Sequence, residues 1–194
     1  MVWPVDSLTD IARRARAGDE RAVEAFVDAA YEQVWRVCSA LVDAQSAGDL
    51  AQETFMRAMR TLPRFRADAS ARTWILAVAR HVCLDELRSR ARRRRRDEAL
   101  MALEAEQHER GADAGQLSAA TDLLVQLDPD RRAAFVLTQL LGLSYEEASA
   151  VCECPTGTIR SRGARARADL IELVAHLDGD QDMAQRSHRR SPPA

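Results

Sequence analysis

The sequence predicts an all-α protein of two small helical domains joined by a flexible linker, the second domain being a helix-turn-helix. Apolar residues recur at helical spacing through most of the chain, no stretch alternates as a strand would, and aromatic residues make up only 5% of it. With 194 residues, 46% of them hydrophobic, the chain can form one large core or two small ones. A shift in composition over residues 97–117 favours two.

The first domain is expected over residues 1–96. From Leu8 to Leu62 the apolar spacing predicts two or three packed helices. Ser7, with Asp10 three residues later, resembles a capping box that begins the first helix. A long helix is predicted from about residue 70 towards residue 95. Turn-forming residues indicate the breaks between these helices, at Gly18-Asp19, Gly48-Asp49 and the loop from Pro63 to Ala69.

Residues 97–117 are expected to form the linker, because they are rich in Ala and Glu and contain Gly111 and Gly115 near their end. The first half of this segment is compatible with a helix. The second domain is expected over residues 118–177, followed by a disordered tail over residues 178–194, which are polar and without periodicity. Four helices are predicted in the second domain, near residues 117–126, 130–141, 144–152 and 156–176, with breaks at Asp128-Pro129, Gly142 and Cys154-Pro155.

Charge is segregated along the chain, although the net charge is only −2. Residues 1–96 carry 18 Arg and 13 acidic residues, whereas residues 97–117 carry one Arg and six acidic residues. The basic block indicates a nucleic-acid partner. Neither Lys nor Asn occurs in the chain, which favours a genome with strong GC bias, such as an actinobacterial one.

The composition argues against several classes of function. The chain has no run of eighteen apolar residues and no basic-then-apolar N-terminus, so we expect a cytoplasmic protein without a membrane span. The cysteines lack the paired spacing of a zinc site and are expected to be reduced thiols. The histidines are scattered and no Gly-rich phosphate loop follows a strand, so no catalytic site, metal or cofactor is expected. The residues concerned are Cys38, Cys83, Cys152, Cys154, His81, His108, His176 and His188.

The segment from Ser144 to Arg165 has the proportions of a helix, a tight turn and a second helix. In the second helix one stripe is expected to face the core (Ile159, Gly163, Ala166 and Leu170), and the opposite side holds small residues (Gly157, Ser161, Ala164 and Ala168). Small residues let a helix lie close to a DNA groove while arginines reach bases or phosphates. A solvated Arg-rich surface helix is the structural alternative. The candidate DNA contacts are Thr156, Thr158, Arg160, Ser161, Arg162 and Arg165.

A second basic surface is predicted on the helix from Thr73 to Arg96. One arc of this helix is apolar, the other carries Arg and His, and the helix ends in five consecutive arginines from Arg92 to Arg96. Trp74 and Phe65 have arginines around them in the sequence, which suits the binding of unstacked single-stranded bases. An unspecific Arg run and a Trp74 that belongs to the core are the alternatives. The candidate residues are Arg66, Arg72, Trp74, Arg80, His81 and Arg88.

These blocks stand in the order found in bacterial extracytoplasmic-function (ECF) sigma factors, and the resemblance covers most of the chain. Asp49-Leu50-Ala51-Gln52-Glu53-Thr54-Phe55 resembles the polymerase-binding helix of their first domain. Arg72-Thr73-Trp74-Ile75-Leu76, with Ala79-Arg80-His81 and Asp85, resembles the promoter-melting segment that follows. Leu127-Asp128-Pro129 through Arg165 resembles their second domain. The two sets at this separation make an accidental match improbable.

The resemblance implies a non-enzymatic RNA polymerase subunit that directs the core enzyme to promoters. Its first domain would bind the polymerase clamp helices and the −10 element, through the candidate residues on the Arg-rich helix. Its second domain would bind the −35 element beside the polymerase flap. An anti-sigma factor is a further possible partner. The polymerase contacts implied are Asp49, Leu50, Gln52, Glu53 and Phe55.

Three residues depart from the family pattern. His81 stands where Asn is frequent, Glu153 where Gly is usual in the turn, and Gly163 where an apolar residue is usual. Gly163 is expected to cost about 1 kcal/mol of helix stability relative to Ala.

Two other classes of function are compatible with a helix-turn-helix chain. An autonomous helix-turn-helix repressor would need no polymerase and would bind palindromes as a dimer, and a helical adaptor would bind only protein. The block from Asp49 to Phe55 favours a sigma factor, since a repressor has no use for it.

Two expectations concern the arrangement of the free chain. The domains are expected to be tethered without a large mutual interface. The acidic linker is expected to lie in a basic polymerase channel, with a merely solvated tether as the alternative. Its acidic residues are Asp97, Glu98, Glu104, Glu106, Glu109 and Asp113.

Overall fold

The computed structural model describes residues 5–104 and 119–188, with side chains over 7–97 and 123–176, and the regular secondary structure of this part is entirely helical. The all-α prediction is confirmed. The first domain contains α1 to α4, the second α5 to α8, and a single 3-10 turn, Leu62–Arg64, precedes the loop before α4. The helices are α1 Val5–Arg16, α2 Glu20–Leu41, α3 Ala47–Thr61, α4 Ala71–Glu104, α5 Ala119–Gln126, α6 Pro129–Phe135, α7 Tyr145–Cys152 and α8 Thr156–His188.

The first domain is a four-helix bundle, and its second helix begins at a clear local signal. Gly18 adopts a φ of 95°, which an L side chain rarely takes, and so ends the turn after α1. Asp19 then caps α2, since its carboxylate accepts a hydrogen bond from the Ala22 N–H. One stripe of α2 is buried against α3 and α4. Its buried residues are Ala22, Phe26, Ala30, Val34, Val37, Cys38 and Leu41.

The predicted capping box at the first helix is wrong. Helix α1 begins at Val5, so Ser7 and Asp10 lie within the helix rather than at its N-cap. The Asp10 carboxylate instead pairs with Arg13 one turn later, at 2.8 Å.

In the second domain, α6 begins after Asp128, whose carboxylate accepts hydrogen bonds from the N–H groups of the next turn, with Pro129 at the first helical position. The helix predicted over 130–141 is confirmed in position, but its second half, Val136–Leu140, is a π-helical turn. Ser144 and Glu147 form a reciprocal capping box at the start of α7. The domain core contains Leu137, Val151, Ile159 and Ala166.

The two domains pack against each other. The sequence had instead led us to expect domains that are tethered without a large mutual interface. Helix α4 lies against α7, and α2 lies against α5, α6 and the π-helical turn. The guanidinium of Arg132 is buried at this junction and donates to the carbonyl oxygen of Leu41, at 2.6 Å. Arg72 donates to the carbonyl oxygen of Leu141, at 2.7 Å. Burial lowers the pKa of Arg132, because it penalises the charged form.

The first residues of the predicted linker and most of the predicted tail are helical in the part of the chain that the structure describes. Helix α4 continues to Glu104, which agrees with a helical first half of the linker. The structure differs from the predicted disordered tail, since α8 continues to His188. The rest of the linker and residues 189–194 lie outside the described residues. No helix in the described ranges combines the length and apolar character needed to cross a membrane.

Candidate nucleic-acid and partner interfaces

Helix α8 has the two faces that its sequence predicts. Ile159, Gly163 and Ala166 are buried against the rest of the second domain, and Leu170 is half-buried. The opposite face is exposed, at Gly157, Ser161, Ala164 and Ala168, with the guanidinium groups of Arg160 and Arg165 beside it. Thr156, Thr158 and Arg162 are partly exposed in the first turns. A surface of small side chains flanked by cations can approach a DNA groove closely.

Two candidate arginines of α8 are held by other side chains. The guanidinium of Arg160 lies over the ring of Tyr145, 5.2 Å from its centroid, so that an aromatic residue of α7 orients it. Arg162 instead points into the domain and donates to Asp130 at 2.6 Å. Tyr145 was missed by the sequence reasoning, although its position at the start of α7, across the turn from α8, was a usable signal.

Gly163 leaves space for a side chain although it is buried. A Cβ atom added there would meet no atom within 4 Å. We therefore expect Gly163→Ala to raise the free energy of unfolding by about 1 kcal/mol, because Ala loses less backbone entropy in a helix. Urea denaturation followed by circular dichroism measures the change. Ala164→Gly, on the exposed face of the same helix, is the reverse control and is expected to lower stability by about the same amount. An unchanged or lower midpoint for Gly163→Ala would contradict the expectation.

The backbone conformation of Glu153 explains why Gly is usual at this position of the turn. Glu153 ends α7 in the left-handed region, at φ 53° and ψ 44°. An L side chain there costs roughly 1–2 kcal/mol. We expect Glu153→Gly to stabilise the chain by about 1 kcal/mol in the same urea assay, since the exposed pair with His81, at 3.7 Å, contributes little. Glu153→Ala removes the same carboxylate without relieving the backbone and is expected not to stabilise; equal effects of both changes would refute the assignment.

The basic face of α4 is only partly open. Arg88 and His81 are exposed, and Arg66 extends from the preceding loop. Arg80, which was placed on the exposed arc, is only 7% exposed, because the second domain covers it. Arg72 donates to Gln33 as well as to Leu141. The sequence therefore identified the cationic arc but not its cover.

Asp85 belongs to a surface ion-pair network on the same helix. It pairs with Arg57 of α3 at 2.7 Å and with Arg88 at 3.7 Å. The hydrogen bond from Arg57 holds the pKa of the Asp85 carboxyl below its ordinary value. This network joins Arg57 of α3 to Asp85 and Arg88 on the basic face of α4.

Phe65 and Trp74 form an aromatic pair next to the cationic loop. Their ring centroids are 5.0 Å apart, and Trp74 also contacts Phe26, at 6.0 Å. Trp74 is half-buried and Phe65 is buried, so the pair is anchored in the core. One edge of Trp74 nevertheless lines a surface cavity of about 340 Å³ together with Arg64, Phe65 and Arg66. Trp74 therefore packs in the core, as one of the two interpretations made from the sequence has it, and also lines a surface cavity.

The predicted polymerase-binding helix, α3, has its apolar residues turned inward. Leu50 and Phe55, two of the polymerase contacts that the resemblance implies, are only 9% and 7% exposed and pack inside the bundle. Asp49 and Gln52 are exposed and Glu53 is half-exposed. A charged substitution of Leu50 would therefore disrupt the fold before it tested binding.

An apolar groove lies between α2 and α3 instead. It encloses about 760 Å³, and its walls include Tyr31 and Met56, which are 44% and 46% exposed. The Tyr31 and Phe55 rings stack, with centroids 6.3 Å apart, so Phe55 supports the groove from below. The sequence reasoning missed Tyr31 and Met56, although a helical projection of α3 separates Met56 from the core stripe. The other lining residues are Val27, Gly48, Gln52, Met59 and Arg60.

The cysteines are free thiols, three of them buried. Burial raises the pKa of Cys152 to about 11, which makes it a poor nucleophile near neutral pH. In the ranges that the structure describes, no cluster of three or more His, Cys, Asp or Glu side chains is arranged to hold a metal.

Comparison with known proteins gives the same two domains. Residues 26–93 match the family model for Sigma-70 region 2, and residues 117–170 match the model for Sigma-70, region 4. The ECF RNA polymerase sigma factor SigC of Mycobacterium tuberculosis is 48% identical over 169 residues, which cover 86% of this chain and 90% of the relative. The ECF RNA polymerase sigma-E factor of Escherichia coli is 33% identical over 187 residues, covering 89% and 97%.

Solved structures agree with these relatives. The sigma factor RpoE of Bartonella quintana, in complex with the anti-sigma factor NepR, superposes with a TM-score of 0.63 at 28% identity, over 78% of this chain and 96% of that one. CnrH, in complex with the cytosolic domain of CnrY, has a TM-score of 0.65 at 22% identity and shares the fold. The two matched regions and these relatives together define a sigma factor that contains regions 2 and 4. The chain belongs to the ECF RNA polymerase sigma factors.

Proposed function

We propose that this chain directs core RNA polymerase to specific promoters, with residues 1–96 and 118–177 as its two working domains and without catalysing a reaction itself. One observation carries the proposal: a single chain presents an open apolar groove suited to a protein partner and two separate cationic helices suited to DNA. An autonomous repressor needs only one of these surfaces. A chain that acts as a polymerase subunit would work in the cytoplasm, because core RNA polymerase is there.

We propose that the α2–α3 groove, rimmed by Asp49, Gln52 and Glu53, binds the clamp helices of polymerase. The groove offers exposed Tyr31 and Met56, and an aromatic ring and a flexible thioether are frequent anchors at protein interfaces. The polar rim can fix the register of a partner helix. Leu50 and Phe55 contribute indirectly, by holding α3 in place.

We propose that the first domain binds the melting −10 element. The cavity beside Trp74 can hold an unstacked base, and the exposed guanidinium groups of Arg66 and Arg88 can contact phosphates around it. Arg72, Arg80 and His81 would join them once the second domain moves away from α4.

We propose that α8 binds duplex DNA at the −35 element. Arg160 and Arg165 flank a face of small residues that fits the major groove, with Ser161, Thr156 and Thr158 as shorter contacts. Arg162 would be a contact only after it releases Asp130.

We further propose an anti-sigma protein as a regulatory partner, because RpoE of Bartonella quintana is held by one.

The acidic linker lies mostly outside the described residues, and its place in a polymerase channel remains a hypothesis. Replacement of its six acidic residues by Gln and Asn is expected to alter abortive RNA synthesis while leaving promoter binding nearly unchanged. Unaltered abortive products at equal open-complex occupancy would leave the linker as a tether only.

Gel filtration with core polymerase, followed by DNase I footprinting on genomic fragments, tests the proposed function. We expect the chain to co-elute with core polymerase and to protect paired −10 and −35 sites only in the presence of that enzyme. Protection of palindromic sites by the chain alone would instead support a repressor.

A further inference from the structure

The loop before α4 borders two cavities. One, of about 340 Å³, is the cavity beside Trp74, and the other, of about 460 Å³, is lined also by Thr9, Asp10 and Arg13 of α1. Residues 67–69 line both of them. The described backbone hydrogen bonds include none made by residues 66–69. The middle of the loop therefore has little support from packing or from its own backbone.

Ala67 gives this loop a strained backbone. Its φ of 60° lies in the left-handed region, which a residue with a Cβ atom adopts only at a cost in energy. Such a conformation persists where the surrounding contacts hold it in place. Contacts made at the ends of the loop must therefore fix its shape.

Helix α1 makes such contacts at both ends of the loop. The Arg16 guanidinium donates to the carbonyl oxygen of Phe65, at 2.6 Å. The backbone N–H of Ala71 donates to the hydroxyl oxygen of Thr9, at 3.0 Å. Thr9 and Arg16 are separated by two helical turns, so both project from the same face of α1. One face of α1 thus holds the start and the end of the loop.

The loop that α1 holds forms part of the wall of the cavity beside Trp74. Arg64, Phe65 and Arg66 line this cavity, so a movement of the Phe65 carbonyl would change its shape. A site that already has its bound shape loses less conformational entropy when a ligand enters. Helix α1 precedes residues 26–93, the range that matches the Sigma-70 region 2 model, so its contacts are additional to those of the matched region.

We propose that Thr9 and Arg16 are positioning residues of the −10 site, which hold the loop so that the cavity beside Trp74 has its shape before an unstacked base enters. This inference rests on the proposed function and deepens it, because it adds α1 to the elements that set the base preference. Without both hydrogen bonds the loop would relax from the strained conformation at Ala67, and the cavity would no longer favour one base.

The test uses the full chain with Thr9→Val and Arg16→Met combined, which removes both hydrogen bonds with little change in side-chain volume. Holoenzyme assembled from each chain and core polymerase transcribes a library of one promoter that the parent uses, with the −10 element randomised, and the transcripts are counted by sequencing. We expect the base preference at one −10 position to fall about tenfold, which corresponds to about 1.4 kcal/mol. The preferences at the other positions and co-elution with core polymerase are expected to stay unchanged.

Arg14→Met is the matched control, because Arg14 also lies in the last turn of α1 but pairs with Asp19. It is expected to keep the parent's preference at every −10 position. Thr9→Ser combined with Arg16→Lys retains a hydroxyl acceptor and a cationic donor, and is expected to restore most of the preference that the first double variant loses.

An unchanged preference in the Thr9→Val, Arg16→Met chain would overturn the inference. An equal loss at every −10 position would also overturn it, because that result indicates a general structural defect, and so would an equal loss in Arg14→Met, which indicates an effect of charge alone. A parent holoenzyme without any −10 preference would overturn the proposed function and this inference together.

Discussion

Met56→Asp is expected to weaken the binding of core polymerase strongly while the chain remains folded. Met56 is 46% exposed on the wall of the α2–α3 groove, so the change removes an apolar contact and places an unpaired carboxylate in a desolvated interface. We expect a loss of about 3 kcal/mol, roughly 150-fold in affinity, measured by biolayer interferometry with immobilised core enzyme.

Ala25→Asp is the control for this experiment. Ala25 is exposed on α2 and lies two residues before Val27 of the groove, on the opposite side of the helix. The control adds the same charge and is expected to bind polymerase as the parent does. Parental affinity of Met56→Asp, with unchanged circular dichroism, would show that the groove is not the polymerase site.

Arg160→Ala is expected to lower transcription from promoters that depend on a −35 element by about 5- to 150-fold, that is, 1–3 kcal/mol. Arg160 is exposed and its guanidinium is already oriented by the ring of Tyr145, so it can enter the groove with little loss of entropy. Holoenzyme assembly is expected to be unaffected.

Arg36→Ala controls for the loss of one positive charge, since Arg36 lies on α2 and pairs only with Glu32 across the surface among the described contacts. Electrophoretic mobility shifts of the holoenzyme on −35 variants show which base the arginine recognises. A uniform loss across all −35 sequences would assign Arg160 to a phosphate, and no loss would exclude it from the interface.

Local signals in the sequence predicted the second domain well. Asp128-Pro129 and the Ser144–Glu147 box act within a few residues of one another, so their helix starts could be located from sequence alone. The stripe of Ile159, Gly163 and Ala166 faces the core as its spacing requires. The π-helical turn at Val136–Leu140 had no such signal.

Features that depend on distant contacts could not be predicted in the same way. The covering of Arg80 by Asp130 joins residues that are 50 positions apart and belong to different domains, and no periodic pattern encodes such a pair.

The orientation of α3 is a different case. The block from Asp49 to Phe55 was matched to a family pattern as a whole, whereas the helix buries Leu50 and Phe55 and exposes Asp49 and Gln52.

Transcription in vitro tests the central claim most directly. Purified core polymerase is incubated with a library of genomic DNA fragments, with and without this chain, and the 5′ ends of the transcripts are mapped by sequencing. We predict new start sites that appear only with the chain and share a −10 and a −35 element at constant spacing. Transcripts identical to those made by core polymerase alone, from a preparation that is folded by circular dichroism, would contradict the account.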